Sequence, residues 1–473
     1  MISNISNRHV VDPVTVVIYF FLVLTGISTL YAVGRPPEGY AAGDVASLLN
    51  SFAGKQFIWL VISLGAWFLV DLFIDRQTWV VGAYPIYIGT VVLLVLVLLI
   101  GKEINNARSW FSVAGFTFQP SELAKFGACL AMAAFLSQYT GKMEKVRNIL
   151  TGTMIWVIPA IFIVLQPDPG SALVFASFLL VMYREGLPGI LLLFGFFTAA
   201  MFLLGIVQDP KVLAGALLVL LSLAMSFSVP QKSRWWVLGT LGVSALAIWS
   251  HLQLDLGWPI LGVLTLNFLV LAGYLLVRQR TQVAVTSLVT LVWGGALATL
   301  ANFFFNNVLM PHQQDRINAW LRPDGMDERG ALYNIIQSKL AIAGGGFSGR
   351  GMFEGIMTKY DYVPEQETDF IFSAIGEGQG FVGSFSIILG FLFLLWRLSV
   401  IAERQTRTFA RAFTYGVAGI ITLHVLVNIG MTMGLMPVIG IPLPFISKGG
   451  SSLLSFTLMI AVVLKFDRMR GVV

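Results

Sequence analysis

Charge is what this chain has least of. Asp, Glu, Lys and Arg make up 11% of its 473 residues, against 57% hydrophobic residues, and the mean hydropathy is +0.82. Soluble domains carry about 25% charged residues. The deficit therefore excludes a soluble enzyme or binding module and indicates a polytopic membrane protein. Cysteine is nearly absent as well. The single Cys129 excludes an intramolecular disulfide, and its place in an apolar run reads as a buried structural thiol. The four histidines, His9, His251, His312 and His424, are too far apart for a metal-ligand spacing. Concentrated positive charge is missing too. The formal net charge is +6, but the bases fall in short clusters between apolar runs, the pattern of cytoplasmic loops and not of a nucleic-acid surface. The first apolar run, Val14 to Val33, is too long for a signal-peptide core, lacks an A-x-A site and reads as a retained span.

What the chain has in abundance is long apolar runs. About twenty such residues cross the hydrocarbon core, and counting them predicts about fourteen spans. They lie near 14–33, 57–74, 80–100, 120–137, 150–166, 171–183, 188–207, 211–229, 235–252, 258–277, 283–305, 370–396, 412–434 and 450–465. The expected fold is an all-α polytopic membrane protein, one integral membrane domain over 1–473. Bases recur on alternate turns: Lys142, Lys145 and Arg147; Arg184; Lys232 and Arg234; Arg278 and Arg280; Arg397, Arg404, Arg407 and Arg411; and the tail Lys465, Arg468 and Arg470. By the positive-inside rule these turns and both termini are cytoplasmic. The stretch 306–369 is then one large extracytoplasmic loop. Asp255 falls in a turn between spans. No convincing internal repeat is present, which weakens a secondary-transporter reading.

The long polar passage, His312 to Glu377, holds 16 of the 54 charged residues. Near its end Asp369 separates the polar TKYDYVPEQET from the apolar FIFSAI. A carboxylate at that boundary is a functional candidate, although a helix N-terminal acid is the plainer alternative. Three further polar islands share the outer face. In the first, Arg108-Ser109-Trp110 is followed by Phe118-Gln119-Pro120-Ser121-Glu122-Leu123-Ala124-Lys125. Pro-Ser-Glu is good helix-starting chemistry, but it does not explain Lys125 one turn inside an apolar helix. An (i, i+3) Glu122–Lys125 pair lowers its own burial cost and marks either structure or a site. The second, Gln166-Pro167-Asp168-Pro169-Gly170, breaks the helix, so its backbone needs a wet or protein-lined cavity. Within the long passage, Ala343 to Gly351 (AGGGFSGRG) offers backbone N–H groups and Arg350 to an anion, or is simply a flexible loop. The last island, Met436 to Ser452, has three prolines and paired glycines and reads as a re-entrant, non-helical segment lining a cavity.

Taken together, the words ARSW, FQPSELAK, QPDPGSA, YNIIQSKLAIAGGGFSGRG, YVPEQETDFIFSAIGEGQGFVG and NIGMTMGLMPVIGIPLPFISKGGSS resemble the SEDS family (shape, elongation, division, sporulation) of bacterial cell-wall proteins. They occur in the family's order and cover most of 100–172 and 312–460. The chain departs from the family pattern where Ser109 separates Arg108 from Trp110, where Pro169 replaces Leu, and where Lys448 replaces Tyr. The family has ten spans, so 186–305 holds about four inserted helices, an even number that leaves sidedness unchanged.

The resemblance implies a peptidoglycan glycosyltransferase of the cytoplasmic (inner) membrane, polymerising lipid II during cell elongation. It implies Asp369 as the catalytic carboxylate, taking a proton from the acceptor sugar. Arg108, Trp110, Glu122, Lys125, Asp168, Lys339, Arg350 and Lys448 would line the substrate and leaving-pyrophosphate site. Implied partners are lipid II, a class B penicillin-binding protein transpeptidase, the elongation machinery and membrane lipid, with no nucleic acid. No cofactor is specified, and a divalent cation at the pyrophosphate is left open. A lipid II flippase would use the same cavity without a proton acceptor. An ion-coupled transporter would place its acids nearer mid-bilayer.

Overall fold

The computed structural model describes residues 11–34, 45–104, 107–113, 116–138, 143, 145–229, 233–254, 257–323 and 330–470. His9, Lys142, Lys232 and Asp255, used above, lie outside them. The chain forms two compact units, one of Gly189–Asp315 and one of the segments on either side.

In chain order the elements are α1 (Pro13–Val33), α2 (Val45–Asn50), α3 (Phe52–Phe73), α4 (Arg76–Ile100), β1 (Lys102–Ile104), β2 (Ala107–Val113), β3 (Phe116–Phe118), α5 (Pro120–Gln138) and α6 (Val146–Val164). A broken helix follows, α7 (Pro169–Val174) and α8 (Phe178–Arg184). The Gly189–Asp315 unit contains α9 (Gly189–Val207), α10 (Pro210–Phe227), α11 (Ser233–Leu254), α12 (Gly257–Val277) and α13 (Thr281–Asn307). The chain continues through α14 (Pro311–Leu321), α15 (Ala331–Gly344), α16 (Ile356–Lys359), α17 (Ile371–Glu403), α18 (Thr408–Thr432) and α19 (Gly450–Arg468).

Among the described residues, 11 helices are long and apolar enough to cross a membrane. The chain is a multi-pass membrane protein. Each of the fourteen expected runs lies on a helix, but three fall short of that standard: α5 and α11, diluted by polar residues, and Pro169–Arg184, which is short. The expectation of an all-α chain is corrected between α4 and α5. There β1, β2 and β3 form an antiparallel sheet in the order β1-β2-β3, with Lys102 opposite Trp110 and Phe111 opposite Phe118. This segment is too polar to span. It satisfies its backbone by pairing with itself, and its aromatic and β-branched residues suit strands.

Helix starts follow local chemistry. Asp12 caps α1, accepting from Thr15 N–H at 3.0 Å, with Pro13 in the first turn. Asp168 and Asp209 cap α7 and α10 in the same way, each followed by proline. Such caps satisfy N–H groups that the helix cannot. In the larger unit, α5 is the central helix: from Pro120 to Leu136 every residue but Leu123 is buried. Its small residues permit close approach. A Cβ on Gly127 would stand 2.6 Å from Thr90 Oγ1 on α4. On α18 a Cβ at Gly416 would stand 2.4 Å from Cys129 Sγ, confirming Cys129 as a buried packing thiol. The Gly189–Asp315 unit has its own apolar core around Leu218, Met225, Leu264, Phe268 and Leu271.

Charge is gathered at the ends of the helices. Where α1 begins and α3, α17 and α19 end, Asp12 pairs with Arg397 and, at 3.5 Å, with Arg404. Arg404 also holds Asp467, and Arg468 holds Asp71 at 2.7 Å. The buried Lys465 caps the C-terminus of α3, donating to the Val70 and Asp71 carbonyls at 2.8 and 2.9 Å. Removing one member of a buried pair leaves the other charge uncompensated. Asp12→Asn should destabilise the detergent-solubilised protein by about 2 kcal/mol, a value discounted for the partial exposure of the arginines. A lowered melting temperature checks it, and an unchanged one would remove the network from the stability argument.

Candidate active site

The opposite end of the larger unit holds the sequence's polar islands. After α18 the chain leaves the helical conformation at Gly434, with φ +74°, and stays irregular until α19 begins at Gly450. Pro437, Pro442 and Pro444 prevent a helix there. The backbone groups this exposes are met by side chains. Asn428 Nδ2, on α18, donates to the Ile441 carbonyl at 2.7 Å and to the Asp369 carbonyl at 2.8 Å. Ser447 Oγ accepts from Leu443 N–H at 2.8 Å and donates to the Thr368 carbonyl at 2.6 Å. Lys448 N–H donates to the Glu367 carbonyl at 2.8 Å. Gln56, on α3, donates to the Ser447 carbonyl and accepts from Gly449 N–H, both at 3.2 Å.

Asp369 sits at the join, two residues before α17. Its side chain is half-buried, and among the described residues none donates a hydrogen bond to its carboxylate. Loss of water pushes its carboxyl up to about 7; the negative charges of Glu365, Asp168 and Glu367 push the same way, and Arg316 opposes them. Gly440 closes one side: its φ is +77°, and a Cβ there would lie 3.2 Å from Asp369 Oδ2. The Asp168 corner packs beside it, since a Cβ on Gly170 would lie 2.8 Å from the Ile439 carbonyl. Asp168 itself is spent on structure. It accepts from Gln119 Nε2 and from Ser171 N–H, each at 3.0 Å.

Glu122 and Lys125 form the expected pair, 2.8 Å apart and fully buried. A third member, His424, was not expected. Its Nδ1–H donates to the Pro442 carbonyl at 3.0 Å. A carbonyl can only accept, so Nε2 carries the lone pair that receives a Lys125 ammonium hydrogen at 2.9 Å. Phe456 lies beside both, 5.4 Å from Lys125 Nζ. His424 and Asn428 are four residues apart on one face of α18, and both grip the irregular segment. That spacing was the available signal.

The remaining candidates are more dispersed. Lys448 pairs with Glu367 at 3.3 Å. Lys339 is exposed on α15 against Gly434, where a Cβ would meet its Cε at 2.3 Å. Arg350 is exposed and donates from Nε to the Gly344 carbonyl at 2.8 Å. Arg108, exposed, and Trp110, half-buried, lie on β2. The glycine-rich loop is not a free anion cradle. The N–H groups of Gly349, Arg350 and Gly351 are committed to the carbonyls of Gly345, Glu377 and Gly378 at 2.9, 3.0 and 3.0 Å. Among the described residues no group of three His, Cys, Asp or Glu side chains could hold a metal ion.

A membrane-spanning helical bundle with an irregular segment, a raised carboxyl and a buried Glu–Lys–His cluster defines a multi-pass protein with its polar chemistry at one end. Residues 15–214 and 213–471 match the family model of the cell cycle proteins FtsW, RodA and SpoVE, and the chain belongs to that family. It is 31% identical over 466 residues to the peptidoglycan glycosyltransferase RodA of Treponema pallidum, covering 96% of each chain. It is 28% identical to the stage V sporulation protein E of Bacillus subtilis, covering 97% of each. Among solved structures it is similar to a chain of a peptidoglycan synthase complex that coordinates polymerization and crosslinking, with 25% identity, a TM-score of 0.64 and coverage of 98% and 99%. The Thermus thermophilus RodA crystal structure shares the fold, with a TM-score of 0.56 and 23% identity over 98% of this chain and 99% of that one.

The buried cluster yields a direct test. Lys125→Met leaves the Glu122 carboxylate alone in the bundle and should cost about 3–5 kcal/mol. Adding Glu122→Gln should recover much of that loss. Melting of the single and double variants in detergent measures the coupling, and additive losses would contradict it.

Proposed function

We propose that this chain is a peptidoglycan glycosyltransferase that polymerises lipid II, a disaccharide-pentapeptide on undecaprenyl pyrophosphate, into linear glycan during cell elongation. The observation that carries the reading is Asp369: a carboxyl near neutrality, with no hydrogen-bond donor among the described residues, held by its backbone at the polar end of a bundle of this family. The acceptor's sugar hydroxyl gives its proton to Asp369 as its oxygen attacks the donor's anomeric carbon. The anomeric carbon–oxygen bond breaks, and undecaprenyl pyrophosphate leaves. A base with a pKa near the working pH suits this task. Negative charge grows on the leaving pyrophosphate, and Arg316, Lys339, Arg350 and Arg108 are the exposed cations available to it. The fully buried Lys125, already held by Glu122 and His424, contributes its field and the shape of the floor.

The arginine-rich end faces the cytoplasm, which puts Asp369, the loop 306–369 and lipid II at the outer face of the cytoplasmic membrane. In this arrangement the chain has fourteen spans and both termini inside; 186–305 carries five helices, α9 to α13, four of them additional to the family's ten, as a scaffold outside the chemistry. A class B penicillin-binding protein supplies crosslinking. The similarity to a chain of a polymerising and crosslinking synthase complex supports that partnership.

Asp369→Asn keeps the size of the side chain but cannot take the proton. Turnover should fall by roughly 10²- to 10⁴-fold, while folding and lipid II binding persist. Asp361 is the control. It is exposed at φ +57° and accepts from Gln366 Nε2 at 2.7 Å; Asn tolerates that backbone, so Asp361→Asn should be mild. Near wild-type polymerisation by Asp369→Asn would sink the reading. Transport of lipid II across liposomes without polymer would establish a flippase instead.

The pH dependence has a definite sign. Only the deprotonated carboxylate accepts a proton, so the rate should be low below pH 7, half-maximal near the Asp369 pKa of about 7, and level above it. Initial polymerisation rates from pH 5.5 to 9 check this, and a flat profile would mean that another group governs proton removal.

A further inference from the structure

The three residues that end the polar stretch, Glu367, Thr368 and Asp369, have all three carbonyls taken from across the site. Lys448 N–H holds the first at 2.8 Å, Ser447 Oγ the second at 2.6 Å and Asn428 Nδ2 the third at 2.8 Å. Gln56 then holds the 447–449 backbone from both sides. Lys448 is therefore fixed in place before its side chain is considered.

That side chain has a defined seat. Nζ lies 3.3 Å from Glu367 Oε1 and 3.8 Å over the Phe52 ring. A cation between an aromatic face and a carboxylate is favoured by both. Glu367 stands two residues from Asp369, and the charges facing Asp369 are unbalanced. Glu365 and Glu367 come from its own loop, Asp168 from the corner before α7, and Arg316 alone from α14. The segment 435–447 packed against it carries no charge; its next residue is Lys448. Lys448 thus offsets one of the three acids around a carboxylate that must ionise to work.

We propose that Lys448 is a positioning residue that, by pairing with Glu367, sets the charge felt by Asp369 and so the pH at which this carboxylate becomes active. The inference rests on Asp369 as the base and goes beyond it by assigning to Lys448 and Glu367 a role other than substrate contact. Its sign is fixed. Without Lys448 the Glu367 charge is uncompensated, Asp369 ionises less readily, and the acid limb of the rate profile moves to higher pH. Without Glu367 it moves to lower pH.

The test is the pH–rate profile of lipid II polymerisation by the full-length protein with its transpeptidase partner, for wild type, Lys448→Met, Glu367→Gln and the double variant. The limb should rise by on the order of half a pH unit in Lys448→Met and fall by a similar amount in Glu367→Gln. It should return close to wild type in the double variant, where the pair is neutral, and Lys448→Arg should leave it in place. A residue that only anchors the segment would lower the plateau rate and leave every midpoint unmoved. Coincident midpoints, or shifts of one sign in both single variants, overturn the proposal. If Lys448→Met does not fold, Glu367→Gln alone decides, since the 367–369 carbonyls are held by Lys448 N–H, Ser447 Oγ and Asn428 Nδ2 and none of these bonds needs the Glu367 carboxylate. Loss of the base reading is seen separately: Asp369→Asn would then remain active, whatever the limbs do.

Discussion

Backbone N–H and C=O groups in a bilayer must find partners within the protein, and wherever this chain leaves the helical state it has to supply them. The segment between α18 and α19 is a long departure of this kind. Its carbonyls at Ile441, Pro442 and Ser447 are taken by Asn428, His424 and Gln56, and its own Ser447 and Lys448 reach back to the residues before Asp369. The groups that pay for the irregular backbone are the groups that fix the candidate base. Stability and positioning are one set of hydrogen bonds here. A substitution at Asn428 or Ser447 would therefore disturb both together.

Charge obeys the same economy. Lys125 is placed where a lone ammonium would be prohibitive, and it is tolerated because Glu122, the His424 lone pair and the Phe456 ring surround it. At the other end the arginines are shared among Asp12, Asp71 and Asp467. Asp369 differs from all of these. It has neighbours of its own sign, with the field of Arg316 against them. Those structural carboxylates have partners, whereas this one is held by its backbone and left ionisable.

How much of this was legible in the sequence follows from physical range. Apolar runs announce helices because burial in lipid depends on each residue's own character, so every expected run is helical. The (i, i+3) pair Glu122–Lys125 was legible because helix geometry alone brings it together. The polar boundary at Asp369 and the proline-rich break were legible for the same local reason. The sheet of β1 to β3 was not, because its register depends on which short strand finds which partner. His424 was missed because its partners lie 299 residues upstream, at Lys125, and 18 downstream, at Pro442. Separation of that kind leaves no periodicity to read. The opposed roles of Lys448 and Arg350, one ion-paired and one folded back on its own loop, likewise depend on the tertiary fold.

The glycine-rich loop shows how the same residues can be right and their use misread. Their spacing suggested N–H groups free to meet an anion. Inside α17, however, Gly380 has φ +66° and ψ −158°, and the helix breaks there. That frees the carbonyls of Glu377 and Gly378 and the N–H groups of Phe381 and Val382. The loop takes up all four. Arg350 and Gly351 donate to the carbonyls, and Gly346 and Phe347 accept from the N–H groups, at 2.9–3.1 Å. Only glycine allows such an approach: a Cβ on Gly349 would lie 2.2 Å from the Gly378 carbonyl, and one on Gly380 2.3 Å from Gly349 N. The loop is thus a backbone patch over a broken membrane helix. Because α17 begins two residues after Asp369, the patch fixes Arg350 to the element that follows the candidate base, and its guanidinium is held at the same end of the bundle without any acidic partner among the described residues.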